Sequence, residues 1–168
     1  MKNNKIIISG PPSSGKTTII NELKSQGYNC FNEISPIHIK EEKIKKDKFK
    51  LSNFLFTARE LQYEKCKHNI CFFDRSMIDV VAYLNYWKIQ YPLSWKKKII
   101  SKKYNKNIFY TPLWENIYTT TISRKEEYLE AFKIDKVLRS TYIDFGYNLI
   151  EVPKLDLNFR VQFIKKHI

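Results

Sequence analysis

Short apolar runs alternate along this chain with segments whose apolar residues recur at helical spacing, a pattern that predicts a parallel α/β sheet. Ile6, Ile7 and Ile8 form a first buried strand, followed by a helix over residues 16–26 that stops at Gly27. Cys30, Phe31 and Asn32 make a shorter second strand ending at Glu33. Residues 37–68 read as a long, mostly helical stretch, charged in its first half. Ile70 to Phe73 is a third strand running into Asp74, and Met77, Val80, Val81 and Leu84 then recur at helix spacing.

The second half continues the alternation. A lysine-studded helix is predicted over residues 94–103, with Trp95 and Ile99 as its anchors, and a fourth strand over 107–110. A helix over 124–145 carries an apolar stripe through Tyr128, Ala131, Ile134, Leu138, Tyr142 and Phe145, and Gly146 ends it. Leu149 to Val152 is a fifth strand, and residues 157–167 a last helix. With no internal repeat and no low-complexity linker, the 168 residues read as one domain.

Composition narrows the classes. The net charge of +13 favours a polyanionic ligand. Only five of the thirty basic residues are arginine, however, so the excess reads as surface lysine rather than as nucleic-acid or lipid recognition. No apolar run is long enough for a membrane helix. The first residues lead directly into a strand, so no signal peptide is expected. Cys30, Cys66 and Cys71 are an odd count without CxxC spacing, which predicts reduced thiols in a cytoplasm. Cys66, His68 and Cys71 lack a fourth zinc ligand, and buried, inert thiols are the expectation there.

Gly10, Pro11, Pro12, Ser13, Ser14, Gly15, Lys16 and Thr17 fit the G-x-x-x-x-G-K-[ST] phosphate loop without a mismatch, and Thr18 continues it. The spacing has a chemical cause. Two glycines let the backbone wrap phosphate closely, with successive N–H groups turned inward. The helix starting at the loop turns its positive end toward the same anion. Lys16 can reach the β- and γ-phosphates, and the Thr17 hydroxyl can ligate Mg²⁺. The nucleotide expected is ATP or GTP.

Asp74, directly after an apolar strand, stands where a second Mg²⁺ group is expected; capping the next helix is the alternative role. Arg75 beside it either steadies the transferring phosphate or forms a structural ion pair. Glu33 ends the second strand at the carboxyl edge of the sheet, as a general base, a substrate contact or a plain surface acid. Arg124 opens a helix at its positive end, a poor place for a cation, and this points to a lid over the phosphates rather than a solvated start. Arg59, on the long helical stretch, is a further candidate to face the substrate cleft.

In their order, the phosphate loop, Asn32 and Glu33, the run Phe72-Phe73-Asp74-Arg75-Ser76, the segment Tyr110 to Trp114, Arg124, and Gly146-Tyr147 with Glu151-Val152-Pro153 resemble the NadR-type AAA domain group. That resemblance spans nearly the whole chain. It implies a three-layer P-loop NTPase fold with a five-stranded parallel sheet in the order 2-3-1-4-5 and a kinase-like lid. It also implies binding of ATP or GTP with Mg²⁺ and phosphorylation of nucleosides or related small hydroxyl compounds. Deoxynucleoside kinases have a similar layout, with an acid after strand two and an acid-Arg-Ser run after strand three. Two departures lie on the substrate side: Pro36 stands where relatives often carry arginine, and residues 119–123 lack the usual acids. Phosphoryl transfer to a small hydroxyl substrate is thus the predicted chemistry, with a nucleotide-hydrolysing switch for a protein or membrane partner as the alternative.

Overall fold

The computed structural model describes residues 4–34, 41–67, 70–114 and 128–168. Within them lie the strands Lys5–Ser9 (β1), Asn29–Phe31 (β2), Cys71–Asp74 (β3), Asn107–Tyr110 (β4) and Asn148–Glu151 (β5). They pair all-parallel in one five-stranded sheet of order β2-β3-β1-β4-β5, the predicted order. The helices are Lys16–Ser25 (α1), Glu42–Lys46 (α2), Lys48–Lys65 (α3), Met77–Tyr86 (α4), Leu93–Ser101 (α5), Tyr128–Asp144 (α6) and Leu157–Lys166 (α7).

A strand with helices on both faces must be apolar on both, and the three consecutive isoleucines of β1 meet that demand. Ile6 and Ile8 pack with Ile19, Ile20 and Leu23 of α1 and Val161 and Ile164 of α7. Ile7 faces the other way, into a larger core with Phe56, Val81, Trp95 and Tyr142 from α3, α4, α5 and α6. The same split divides Phe72 from Phe73 on β3, and Phe109 from Ile108 on β4. Three layers result, and the carboxyl ends of β1, β3 and β4 are brought to one edge.

The helical stretch predicted from residue 37 is interrupted at Asp47, and residues 37–40 lie outside the described ones. The Asp47 carboxylate accepts hydrogen bonds from the amides of Phe49 and Lys50, both at 3.0 Å, so it caps a new helix instead of continuing the old one. Trp95 and Ile99 anchor α5 as expected, and the Trp95 ring stacks on Phe56 with centroids 4.1 Å apart. The lysines of α5 are not simply solvated. Lys98 pairs with Glu60, and Lys102 at the helix end with Glu60 and Glu64, tying α5 to α3. On α6 the buried stripe is Ala131, Ile134, Leu138 and Tyr142, while Tyr128 is exposed.

The expectation of three reduced thiols is corrected. Cys66 and Cys71 form a disulfide, and Cys30 is the free cysteine, its thiol pushed up to about 11 by burial, with Lys24 opposing. The two cysteines flank a short connection, Cys66 after the end of α3 and Cys71 at the start of β3, with their Cα atoms 6.2 Å apart. A bonded pair of cysteines gives no sign of a reducing compartment. For so short a loop, chain entropy gives about 2 kcal/mol of stabilisation. Reduction with dithiothreitol should lower the urea midpoint accordingly, and an unchanged midpoint would show that the bridge contributes nothing. Among the described residues, no helix is long and apolar enough to cross a membrane.

Candidate functional site

The loop between β1 and α1 is braced from behind. A Cβ on Gly10, where φ is +149°, would lie 2.2 Å from the Thr111 carbonyl oxygen and 2.4 Å from its hydroxyl. Only glycine fits against the end of β4 there. The Ser14 hydroxyl donates to the Pro11 carbonyl at 2.9 Å and shares a 2.7 Å hydrogen bond with Thr111 Oγ1, so it knots the loop and ties it to β4. Pro11 and Pro12 are buried, Ser13 has a φ of +57°, and Thr18 is exposed on α1. Lys16, only 3% exposed, folds its ammonium back onto the Pro11 carbonyl at 2.6 Å and the Ser14 hydroxyl at 3.2 Å.

Asp74 ends β3 beside α1. Its Oδ2 accepts the Thr17 hydroxyl at 3.0 Å, whereas Oδ1 is buried without a hydrogen-bond partner. Burial first, then the negative charge of Glu33, raises the carboxyl above its usual value, against the pull of Lys16, Arg75 and the Thr17 hydroxyl. A buried oxygen without a partner costs free energy unless something binds it. A hydroxyl and a carboxylate side by side, with one oxygen spare, suit a hard cation that takes oxygen ligands, and Mg²⁺ fits this donor set.

Arg75 follows with φ +72°, uncommon for a residue with a side chain, and it is buried. Its Nε donates to Glu33 Oε1 at 2.7 Å, and its Nη1 donates to the Gly10 carbonyl at 3.1 Å while lying 3.6 Å from Asp79 Oδ1. Burial opposes the charge, but Glu33, then Tyr83, Asp79 and Asp74, hold the guanidinium well above its usual value. The side chain therefore links the end of β2, the phosphate loop and α4. Glu33 sits at the rim, part-exposed, as a sheet-edge acid should.

Thr17 with Asp74, and Glu33 with Arg75, are thus brought together around the loop as the sequence grouped them. Arg124 lies outside the described residues, as do Pro36, His68 and residues 119–123. Arg59 is buried and donates to the Ser76 carbonyl at 2.8 Å, so it braces the start of α4.

Sequence reasoning missed three supports. Asp79 is fully buried and accepts from the Ser9 hydroxyl at 2.6 Å, the Ser76 amide at 2.7 Å and the Tyr142 hydroxyl. Half of that role was visible in Ser76-x-x-Asp79, a capping box with Asp in the third helical position. Thr111 stands in the Tyr110–Trp114 segment of the resemblance, but nothing there pointed to its contact with the phosphate loop. Arg160 of α7 donates from Nη2 to the Ser14 carbonyl at 2.8 Å. Its clue was scarcity: in a lysine-biased chain, a retained arginine signals a geometric task that lysine cannot perform.

The family model described as an AAA domain matches residues 5–160. The chain belongs to that AAA domain family. No curated protein matches the sequence significantly. Solved structures do share the fold of this AAA domain chain. Deoxyadenosine kinase from M. mycoides with bound dATP is 18% identical, with 97% of each chain covered and a TM-score of 0.73. Thymidylate kinase from Candida albicans is 13% identical over 99% of this chain and 91% of its own, at a TM-score of 0.68. The YorR protein from Bacillus subtilis, in complex with phosphorylated GDP, is 17% identical over 97% of this chain and 94% of its own, at 0.63. At such identities the likeness concerns the fold.

Proposed function

We propose that the chain is a kinase that transfers the γ-phosphate of ATP or GTP to the hydroxyl of a nucleoside-like small molecule. The observation that carries this reading is the Glu33–Arg75 pair, which sits at the end of β2 with its guanidinium on the first carbonyl of the phosphate loop. The pair holds a carboxylate beside the phosphate loop, where an attacking hydroxyl can pass on its proton. The nucleoside and nucleotide kinases that share the fold support the acceptor class.

In this reading the loop amides and the end of α1 hold the phosphates. Lys16 exchanges the Pro11 carbonyl for the β- and γ-phosphate oxygens, a short move because its ammonium is already inside the cradle. Thr17 and Asp74 would hold Mg²⁺, which neutralises charge on those oxygens. Glu33 accepts the proton of the attacking hydroxyl. Arg75 keeps Glu33 in place and adds positive charge where negative charge builds on the transferring group.

Two measurements test this. Purified protein with Mg²⁺, labelled ATP or GTP and a panel of nucleosides and vitamins should yield a new phosphorylated product. Release of free phosphate alone would instead support the hydrolytic switch. Glu33→Gln should then cut turnover by about 10²-fold while nucleotide affinity stays near that of the unaltered protein. Unchanged turnover would remove Glu33 from the reaction.

A further inference from the structure

Among the described residues, Lys16, Arg75 and Arg160 contact the phosphate loop, and Arg160 has no place in the reading above. Arg160 is 5% exposed, and its Nη2 donates to the Ser14 carbonyl at 2.8 Å. Its Nη1 occupies the space a side chain at Gly15 would need, 2.6 Å from where that Cβ would stand. Its Nε is buried with no hydrogen-bond partner, and its guanidinium carbon lies 5.7 Å from the centre of the Trp114 ring. Among the described residues no carboxylate pairs with it. Burial alone acts on its protonation, lowering it.

A buried cation with no counter-ion is costly on its own and is relieved when an anion arrives nearby. The peptide it grips decides what it does. The Ser14 carbonyl and the Gly15 N–H belong to one peptide unit. A charge-assisted hydrogen bond to the oxygen draws electron density from the nitrogen, so the N–H becomes a stronger donor. The Gly15 amide is one of those the loop supplies to phosphate. Arg75 makes the matching contact at the Gly10 carbonyl, but there the next residue is Pro11, which has no N–H to strengthen. Of these two contacts, the one from α7 can pass its polarisation on to a phosphate donor.

We propose that Arg160 is a positioning residue for polyphosphate: it fixes the Ser14–Gly15 peptide and strengthens the Gly15 amide as a phosphate donor. The proposal rests on the nucleotide-binding part of the reading above, not on the identity of the acceptor. It also accounts for an arginine in this place, since only a guanidinium can span the Ser14 carbonyl and the Gly15 face together.

Calorimetry with Mg²⁺-ATP and with inorganic tripolyphosphate tests it, alongside the amide spectrum of protein labelled with ¹⁵N-glycine. Arg160→Gln should weaken both ligands about tenfold. Arg160→Lys, which keeps the charge without the fork, should fall between Arg160→Gln and the unaltered protein. In both variants the Gly15 amide proton should move upfield, the mark of a weaker donor, and KM for the nucleotide should rise more than kcat falls. Unaltered ligand affinity with an unmoved Gly15 resonance would overturn the proposal. Should Arg160→Gln not fold, Arg160→Lys carries the same decision by the same two readouts. If the unaltered protein binds neither ligand, nucleotide binding itself is refuted and this role goes with it. If it binds both but yields no phosphorylated product, only the kinase assignment fails.

Discussion

Replacing Arg75 by alanine is expected to lower the unfolding free energy by about 3 kcal/mol, toward the lower end of what breaking a buried ion pair costs. The side chain pairs with Glu33, lies beside Asp79 and donates to the Gly10 carbonyl. Without it, Asp79 keeps its hydrogen bonds from Ser9, Ser76 and Tyr142 but remains a fully buried carboxylate whose neighbouring cation is gone. Glu33 is partly exposed, so water recovers some of its loss, and this places the estimate at the low end. Relief of backbone strain will not compensate, because alanine at φ +72° is no easier to accommodate than arginine. Urea unfolding should show the lower midpoint with an unchanged slope. Arg75→Lys should recover part of the stability but little transfer, since an ammonium cannot hold Glu33 and the loop carbonyl in one plane. A midpoint unaffected in Arg75→Ala would mean that these contacts contribute nothing to the fold.

The parts of this arrangement that the sequence disclosed are those held by neighbours along the chain. The phosphate loop is contiguous, and Asp74, Arg75 and Glu33 follow apolar runs short enough to be recognised as strands. Once the order of the sheet is known, their meeting at one edge follows from topology. What escaped depends on contacts between distant positions. Thr111 meets Ser14 across 97 residues and Arg160 meets it across 146. Neither has a periodicity or a motif of its own, because each is specified by the three-dimensional fit behind a loop. The disulfide escaped for a related reason. Spacing alone does not say whether two cysteines five residues apart can meet, and it is the placement of Cys66 at the end of α3 against Cys71 at the start of β3 that brings the sulfurs together. The break at Asp47 escaped because helix formers surround it, and its capping role shows only where the carboxylate meets the Phe49 and Lys50 amides.

Asp74→Asn should produce opposite effects on stability and function. The carboxylate is almost wholly buried, one oxygen has no partner, and burial with the nearby Glu33 charge raises it above the ordinary 3.8. A carboxyl with a raised folded-state value favours the folded chain most when protonated, below the unfolded-state value. That advantage is lost as pH rises through the higher folded value. At neutral pH, then, the ionised group opposes folding in the absence of metal, and an amide of the same shape removes the cost. The variant should be more stable than the unaltered protein by about 1 kcal/mol at pH 7, the gap closing as pH falls below the ordinary carboxylate range. Transfer should fall on the order of 10³-fold, because several kcal/mol of charge stabilisation depend on the Mg²⁺ that Thr17 and Asp74 would hold. Thermal melting separates the two effects. Mg²⁺ with nucleotide should raise the melting temperature of the unaltered protein well beyond nucleotide alone, and in Asp74→Asn the metal should add little. An asparagine variant less stable at neutral pH, or one still stabilised by Mg²⁺ to the same degree, would show that the buried carboxylate serves only to tie β3 to Thr17 and is not a metal ligand.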